Sequence, residues 1–149
     1  LAADPPEFAF EAGSGLTSPI IHGNSKRAIS VEHHERFRQQ TLGVCRSCDV
    51  RLVGLVDVPT PSGPVLTYDL SGIDAIFDFV FIDGPPGSVG RGWVLFALEG
   101  MVAPCAEIWL DDAGREGEQE AVRAWVDAGL VKDPVRLFEA GYSARMVAC

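Results

Sequence analysis

The segment at residues 79–87 places the strongest constraint on how this chain can fold. It reads FVFIDGPPG, so an apolar run stops at Asp83 and the turn Gly84-Pro85-Pro86-Gly87 follows at once. A short unbroken run of Phe, Val and Ile is typical of a strand buried on both faces, as in a parallel sheet. Because proline lacks an N–H and glycine allows unusual backbone angles, the turn fixes where the strand ends. We therefore predict Asp83 at the carboxyl edge of a sheet, where open α/β folds bind ligands.

The overall composition limits what the chain can bind. Its 149 residues, 47% hydrophobic and 22% charged, are enough for one globular domain with a core. The net charge of −9 argues against binding along a nucleic-acid backbone, which depends on Lys and Arg. No apolar run reaches the roughly 18–20 residues that span a bilayer, so we expect neither a nucleic-acid nor a membrane partner. A small anionic substrate held by one or two arginines is compatible with this charge.

The cysteines leave three interpretations open. Cys45 and Cys48 form a CxxC motif, while Cys105 and Cys149 stand alone. A single CxxC is half of a zinc site, and it also matches a redox pair. We favour the third interpretation, inert thiols. Lone cysteines fit a reducing compartment, so we expect a cytoplasmic protein.

Strands and helices alternate along the chain, a pattern that predicts one α/β domain with a mostly parallel sheet. We predict strands at residues 8–12, 28–31, 50–56, 79–83 and 107–110, and a closing antiparallel pair at 134–139 and 144–149 around Gly141-Tyr142. We predict helices at residues 19–22, 34–42, 89–102 and 116–128, and one or two helical turns in 71–76. The apolar last strand could pair with a second copy, so a homodimer is a further expectation.

A glycine-rich turn and an acidic residue suggest a nucleoside site. The first strand runs into Gly13-Ser14-Gly15, and the second ends at Glu32, 17 residues after Gly15. In this arrangement the backbone approaches the ligand and the carboxylate accepts hydrogen bonds from ribose hydroxyls. A dinucleotide fingerprint would need a third glycine near Ser18, which counts against a nicotinamide oxidoreductase. Alternatively, Glu32 could cap the following helix.

Four segments carry a family resemblance: FEAGSG (10–15), SVE (30–32), FIDGPPG (81–87) and LDDAGR (110–115). Together they resemble class I S-adenosylmethionine-dependent methyltransferases, over nearly the whole chain and most strongly from Asp78 to Trp125. The resemblance implies a Rossmann-like three-layer α/β sandwich. Its seven-stranded, mostly parallel sheet has the order 3-2-1-4-5-7-6 with an antiparallel last strand. We expect a single domain over residues 1–149, with the family's N-terminal helices missing from this sequence.

The resemblance also implies an activity and a cofactor site. The activity is methyl transfer from S-adenosylmethionine to an oxygen of a small-molecule acceptor. By position, Glu11, Gly13 and Gly15 line the methionine part of the cofactor together with Ser14, and Glu32 holds the ribose. Two further residues complete the predicted cofactor site, His33 beside the adenine and Asp83 where cofactor and acceptor meet.

The acceptor side is similar to the catechol-type, metal-dependent branch of the family. There, an acid at the place of Asp83 and an Asp-Asn pair after the fifth strand bind magnesium. Asp83, Asp111 and Asp112 stand in those places here, and three oxygen ligands at adjacent strand ends suit a hard cation. Mg²⁺ would lower the pKa of the acceptor hydroxyl and orient it, so Asp83 and Asp111 are also predicted to be catalytic.

The sequence departs from the metal-dependent branch at two points. Asp112 replaces the asparagine, and no lysine stands beside Asp83 as a general base. Arg91 and Arg115 lie just beyond the site strands and are predicted to hold an oxygen of the acceptor. The alternative to an enzyme is an inactive methyltransferase-like domain that binds a nucleoside or a partner without turnover.

Overall fold

The computed structural model describes residues 4–137 and 144–148. Its strands are β1 (Ala9–Ala12), β2 (Ala28–Glu32), β3 (Val50–Leu52), β4 (Leu55–Val58), β5 (Val65–Tyr68), β6 (Phe77–Ile82), β7 (Val102–Leu110), β8 (Val131–Leu137) and β9 (Ala144–Ala148). Its helices are α1 (Ser18–Gly23), α2 (Glu35–Val44), α3 (Val94–Ala97) and α4 (Glu116–Asp127), with a 3₁₀ turn at Arg91–Trp93. None of the helices in these ranges combines the length and the apolar character that a bilayer crossing requires.

The central sheet confirms the predicted topology. Seven strands pair in the order β3-β2-β1-β6-β7-β9-β8, which is 3-2-1-4-5-7-6 when the strands of this sheet alone are numbered. β1, β2, β3, β6 and β7 are mutually parallel, and β9 runs antiparallel to both of its neighbours, β7 and β8. The strand order reverses between β1 and β6, which is where open α/β sheets bind ligands.

The register of the central strands brings their carboxyl ends to one level. Gly13 N donates to Val31 O, Asp83 N to Ala12 O and Asp111 N to Ile82 O, each at 2.9 Å. The residues that follow β1, β6 and β7 therefore emerge side by side. This alignment brings the glycine turn next to Asp83 and Asp83 next to Asp111.

The predicted third strand, residues 50–56, is wrong, because this stretch divides between two sheets. β3 pairs with β2, and Val53 N still donates to Glu32 O. The chain then leaves the central sheet at Gly54, and β4 pairs with β5 as a separate antiparallel hairpin. Side-chain type alone did not reveal the division, because the valines and leucines on both sides of Gly54 suit either sheet.

Two helix predictions are also wrong. Residues 89–102 form only the 3₁₀ turn and α3, since Gly100 has a φ of +78° and β7 begins at Val102. Residues 71–76 form a turn, with Ile73 N bonded to Leu70 O at 2.9 Å, and no helix. The predicted turn at Gly141-Tyr142 lies outside the described residues, while β8 and β9 on either side confirm the antiparallel closing pair.

Cys45 and Cys48 form a disulfide, with their Cα atoms 5.5 Å apart. The favoured interpretation, two inert thiols, is therefore wrong for this pair. α2 ends at Val44, and the turn that follows returns the chain towards β3, which brings the two cysteines together. The separation of the Cα atoms lies within the normal range for a disulfide.

Candidate functional site

A cleft of about 330 Å³ lies at the carboxyl edge of the central sheet, where β1 and β6 meet. Predicted and unpredicted residues line it together: Gly13, Ser14, Glu32, His33, Phe37, Tyr68, Asp83, Gly84, Pro85, Pro86 and Arg91. The structure therefore brings most of the predicted cofactor residues to one cavity. Gly15 instead borders a neighbouring hollow with Leu16 and Phe37.

Two glycines bring the turns after β1 and β6 into contact. Gly13 has a φ of +87°, a left-handed conformation that L side chains rarely adopt. A Cβ built on Gly13 would lie 2.9 Å from Gly84 N, and one built on Gly84 would lie 2.7 Å from Gly13 Cα. This close approach of two backbones requires glycine on both sides, and it sets the distance from the glycine turn to Asp83.

Glu11 is fully buried and is not among the residues that line the cleft. Its carboxylate accepts hydrogen bonds from Thr17 Oγ1 and Ser18 Oγ, both at 2.6 Å, and from Ser30 Oγ. Burial raises the pKa of Glu11, and the three hydroxyls partly offset the effect. Because Ser18 Oγ also accepts from Gly15 N at 3.0 Å, Glu11 anchors the glycine turn.

Glu32 lies at the end of β2, 5% exposed, and its carboxylate organises the backbone around it. Oε1 accepts from His33 N at 2.8 Å and His34 N at 2.9 Å, and Oε2 accepts from Ser14 N at 3.3 Å. A carboxylate offers about four acceptor positions, so Oε2 can accept one more hydrogen bond. His33 Nδ1 lies 3.1 Å from Glu32 Oε1, which brings the imidazole to the same wall of the cleft.

The residues that sequence reasoning missed come from elements distant in sequence. Tyr68 ends β5, and its hydroxyl would lie 2.5 Å from a Cβ on Gly84; burial raises the pKa of this phenol, which stays protonated. Phe37 and Thr41 belong to α2, and Thr41 Oγ1 donates to Ser14 Oγ at 3.0 Å. For Tyr68 the sequence holds one signal, an aromatic residue with a polar tip at the end of an extended segment.

The three predicted metal ligands cluster, and Arg91 lies among them. One carboxylate oxygen from each of Asp83, Asp111 and Asp112 lies within 4.8 Å of the other two. The Arg91 guanidinium donates to Asp112 Oδ2 through Nη1, and it lies 3.4 Å from Asp83 Oδ1 and 3.8 Å from Asp111 Oδ2. Its Nε donates to Pro85 O at 3.4 Å, and its side chain is only 11% exposed.

The cluster changes the protonation of Asp83. Burial raises the pKa of Asp83 to about 6, against the attraction of the Arg91 guanidinium. The negative charges of Asp111 and Asp112 and a hydrogen bond with Asp111 contribute to the same increase, which the value of about 6 already includes.

A magnesium ion fits the spacing of the carboxylates but not the arginine between them. A divalent ion about 4 Å from a guanidinium would be repelled by about 8 kcal/mol at the effective dielectric constant typical near a protein surface. The Arg91 donors also occupy the oxygens that the ion would need. The residues present therefore do not fit the predicted Mg²⁺ site.

The two predicted substrate arginines differ in their surroundings. Arg91 faces the cleft, but its nitrogens already contact three aspartates and a backbone carbonyl. Arg115 is 57% exposed, and its Nη2 lies 2.9 Å from Asp112 Oδ2. Of these two guanidiniums, the one of Arg115 is more accessible to a ligand from solution.

No family model and no curated protein sequence matches this chain. Solved structures do match it, among them an O-methyltransferase from Bacillus cereus in complex with SAH. That match has a TM-score of 0.65 at 18% identity and covers 97% of this chain and 74% of the other. The N-methyltransferase NodS from Bradyrhizobium japonicum WM9 matches with a TM-score of 0.63 at 13% identity, over 97% of this chain and 87% of the other.

A third match is the SAH-bound methyltransferase PaMTH1 from Podospora anserina, with a TM-score of 0.66 at 13% identity, over 96% of this chain and 71% of the other. Similarity at such low sequence identity shows the fold. The chain therefore has the Rossmann-like fold of class I methyltransferases, as the sequence resemblance implied.

Proposed function

From this shared fold, we propose that the chain is an S-adenosylmethionine-dependent methyltransferase that acts on an oxygen of a small-molecule acceptor. The observation that carries the proposal is Glu32, a nearly buried carboxylate that lines the cleft beside the Gly13-Ser14 turn and can still accept a hydrogen bond at Oε2. A carboxylate in this position suits the hydroxyls of a ribose.

The chain has the residues to hold this cofactor at the switch point of the sheet. Gly13 and Ser14 present backbone without bulky side chains, Glu32 accepts from the ribose, and His33 flanks the adenine. Glu11 stabilises the turn from within the protein, through Thr17 and Ser18. S-adenosylmethionine supplies a methyl group that the positive charge of its sulfonium activates.

Asp83 and Asp111 would act on the acceptor. A hydroxyl that donates to an Asp83 carboxylate oxygen would be held in place, and that oxygen would accept its proton as the hydroxyl oxygen takes the methyl group, the methyl–sulfur bond breaks and S-adenosylhomocysteine is left. A pKa of about 6 leaves Asp83 mostly ionised at neutral pH while keeping it basic enough to accept the proton. Asp111 contributes a second negative charge beside Asp83. The Arg115 guanidinium is available to bind a second oxygen of the acceptor.

Calorimetric titration of S-adenosylhomocysteine is the test of the cofactor site. We expect saturable binding to the wild type and at least roughly tenfold weaker binding to Glu32→Ala, because hydrogen bonds to a charged acceptor contribute about 1.5–3 kcal/mol each. Glu35→Ala is the matched control, since Glu35 is an exposed carboxylate at the start of α2 that does not line the cleft. Equal affinity in all three proteins would contradict the proposed site.

A second experiment separates an enzyme from an inactive binding domain. Labelled S-adenosylmethionine is incubated with a panel of hydroxyl acceptors, and transfer of the methyl group is counted for the wild type and for Asp83→Asn. Transfer by the wild type alone supports catalysis by Asp83. Cofactor binding without transfer to any acceptor would favour the inactive domain. Two features already argue for that alternative: protein oxygens occupy the nitrogens of Arg91, and the sequence has no lysine beside Asp83.

A further inference from the structure

The contacts of Arg91 are unusual for a residue that borders a binding cleft. Each of its three nitrogens faces an oxygen of the protein: Nε the carbonyl of Pro85, Nη1 the carboxylates of Asp112 and Asp111, and Nη2 the carboxylate of Asp83. Only 11% of the side chain is exposed. The guanidinium therefore belongs to the frame of the site, with little capacity left for a ligand.

The same loop delivers both the cation and the first of its acidic partners. Asp83 follows β6, and Arg91 stands eight residues later, after the Gly84-Pro85-Pro86-Gly87 turn. Gly90, with a φ of +151°, precedes the 3₁₀ turn, and a Cβ there would lie 2.4 Å from Leu66 O of the hairpin. The start of the Arg91 side chain is therefore fixed by tight packing, which holds the guanidinium among the carboxylates.

The negative charge of the cluster is largely offset by the two arginines that contact it. Three carboxylates meet within 4.8 Å, a spacing at which they would repel one another without a cation. Arg91 contacts all three, while Arg115 contacts Asp112 from the solvent side. Two guanidiniums thus face three carboxylates, and the central one is Arg91.

We propose that Arg91 is the built-in cation of this acidic cluster: its guanidinium takes the position and the charge that a divalent metal ion would otherwise supply, and the folded protein binds no such ion there. Arg91 is then a positioning residue that sets the orientation of Asp83 and Asp111. The inference goes beyond the proposed methyl transfer and does not depend on it, because it concerns the cluster alone.

The test measures Mn²⁺ binding, without cofactor or acceptor, from the loss of the electron paramagnetic resonance signal of the free ion. Mn²⁺ stands in for Mg²⁺ because both prefer carboxylate oxygens. We expect no binding to the wild type at millimolar Mn²⁺. We expect Arg91→Met, which keeps an apolar stem but removes the charge, to bind one ion with a Kd at least roughly tenfold below the highest Mn²⁺ concentration at which the wild type binds none.

Three further variants locate the effect. Arg91→Lys keeps a positive charge and is expected to exclude Mn²⁺ as the wild type does. Arg115→Met is the matched control, since it removes the peripheral arginine and leaves Arg91 in place, and it should gain no site. Adding Asp83→Ala to Arg91→Met should abolish the new site, because one of the three oxygen ligands is lost.

Two outcomes would overturn the proposal. The first is Mn²⁺ binding by the wild type that Asp83→Ala abolishes, and the second is a folded Arg91→Met protein that binds no Mn²⁺. If Arg91→Met does not fold in metal-free buffer, circular dichroism should show that Mn²⁺ restores the fold, and failure to restore it counts against the proposal. Titration of S-adenosylhomocysteine remains a separate readout, so a failure here is distinct from a failure of the proposed function.

Discussion

Gly13 combines a φ of +87° with direct backbone contact to Gly84, so an added Cβ would be unfavourable for two independent reasons. A left-handed conformation costs an alanine about 1–2 kcal/mol, and the contact at 2.9 Å would also force the two turns apart. We expect Gly13→Ala to lower the free energy of unfolding by at least about 1–2 kcal/mol, measured by urea denaturation.

The neighbouring glycine provides the control for this prediction. A Cβ on Gly15 would meet no atom within 4 Å, so Gly15→Ala should change the free energy of unfolding by no more than about 0.5 kcal/mol. Equal losses in the two variants would mean that the close approach of the turns after β1 and β6 does not matter for stability.

Asp83 predicts the pH dependence of the proposed methyl transfer. With a pKa of about 6, the carboxyl group is protonated below that pH and cannot accept the proton of the acceptor hydroxyl. We expect kcat/KM to rise with pH and to level off above about pH 6, falling about tenfold for each pH unit below it. Rates measured from about pH 5 to 8 would show this acidic limb, the part of the pH profile in which kcat/KM rises with pH.

Asp111 offers a check on the origin of that limb. Its charge and its hydrogen bond raise the pKa of Asp83, although burial is the larger cause. Asp111→Asn should therefore move the limb to lower pH without removing it, whereas Asp83→Asn should remove it together with most of the activity. A limb that stays at the same pH in Asp111→Asn would show that the two carboxyl groups do not interact.

At the scale of the elements, the disulfide ties the end of α2 to the start of β3. Cys45 and Cys48 are three residues apart in sequence, and closing so short a loop stabilises the fold by about 1.5–2 kcal/mol in the chain-entropy account. We expect Cys45→Ser to lose about that much in urea unfolding without a reductant. With dithiothreitol present, the wild type and the variant should have the same stability.

The exposed free thiol of Cys105 supplies the comparison for the disulfide. Cys105→Ser removes a thiol that takes no part in the bond, so the stability should change by no more than about 0.5 kcal/mol. A difference between the wild type and Cys45→Ser that persists under reduction would trace the effect to packing around Cys45 and not to the covalent bond.

Elements were predictable from sequence where a local pattern decides the structure. The apolar runs of β1, β2 and β6 and the amphipathic α4 are of this kind. The division at Gly54 and the short α3 were not, because tertiary packing decides them: Val94, Leu95 and Phe96 are buried in succession, so α3 has no solvent face from which to infer a period.

At the scale of the whole molecule, the alternation of elements predicts a mostly parallel sheet, and the family resemblance implied its strand order. That order brings together residues far apart in sequence. Glu32 and Asp83 both stand at strand ends, where the sequence predicts them, and both line the cleft. It could not show that Arg91 pairs with all three aspartates, because the identity of charged residues does not reveal which of them meet in space. Association into a homodimer stays a prediction.

The cleft itself predicts a global effect of ligand binding. Its walls come from the ends of β1, β2 and β6, from α2 and from the hairpin, and they adjoin one another only in the folded chain. A ligand that binds there therefore stabilises the folded state alone, by about 2.7 kcal/mol when its concentration is one hundred times Kd. For a chain of 149 residues this corresponds to a rise in Tm of roughly 5–11 °C.

Thermal unfolding with and without S-adenosylhomocysteine measures this rise. At the same ligand concentration Glu32→Ala should show about half of this shift or less, because tenfold weaker binding reduces the stabilisation to about 1.4 kcal/mol, while Glu35→Ala should shift as the wild type does. A wild-type Tm that is unchanged at saturating ligand would mean that the cleft does not take the nucleoside in the folded chain, and the proposed cofactor would then be wrong even though the fold is that of a methyltransferase.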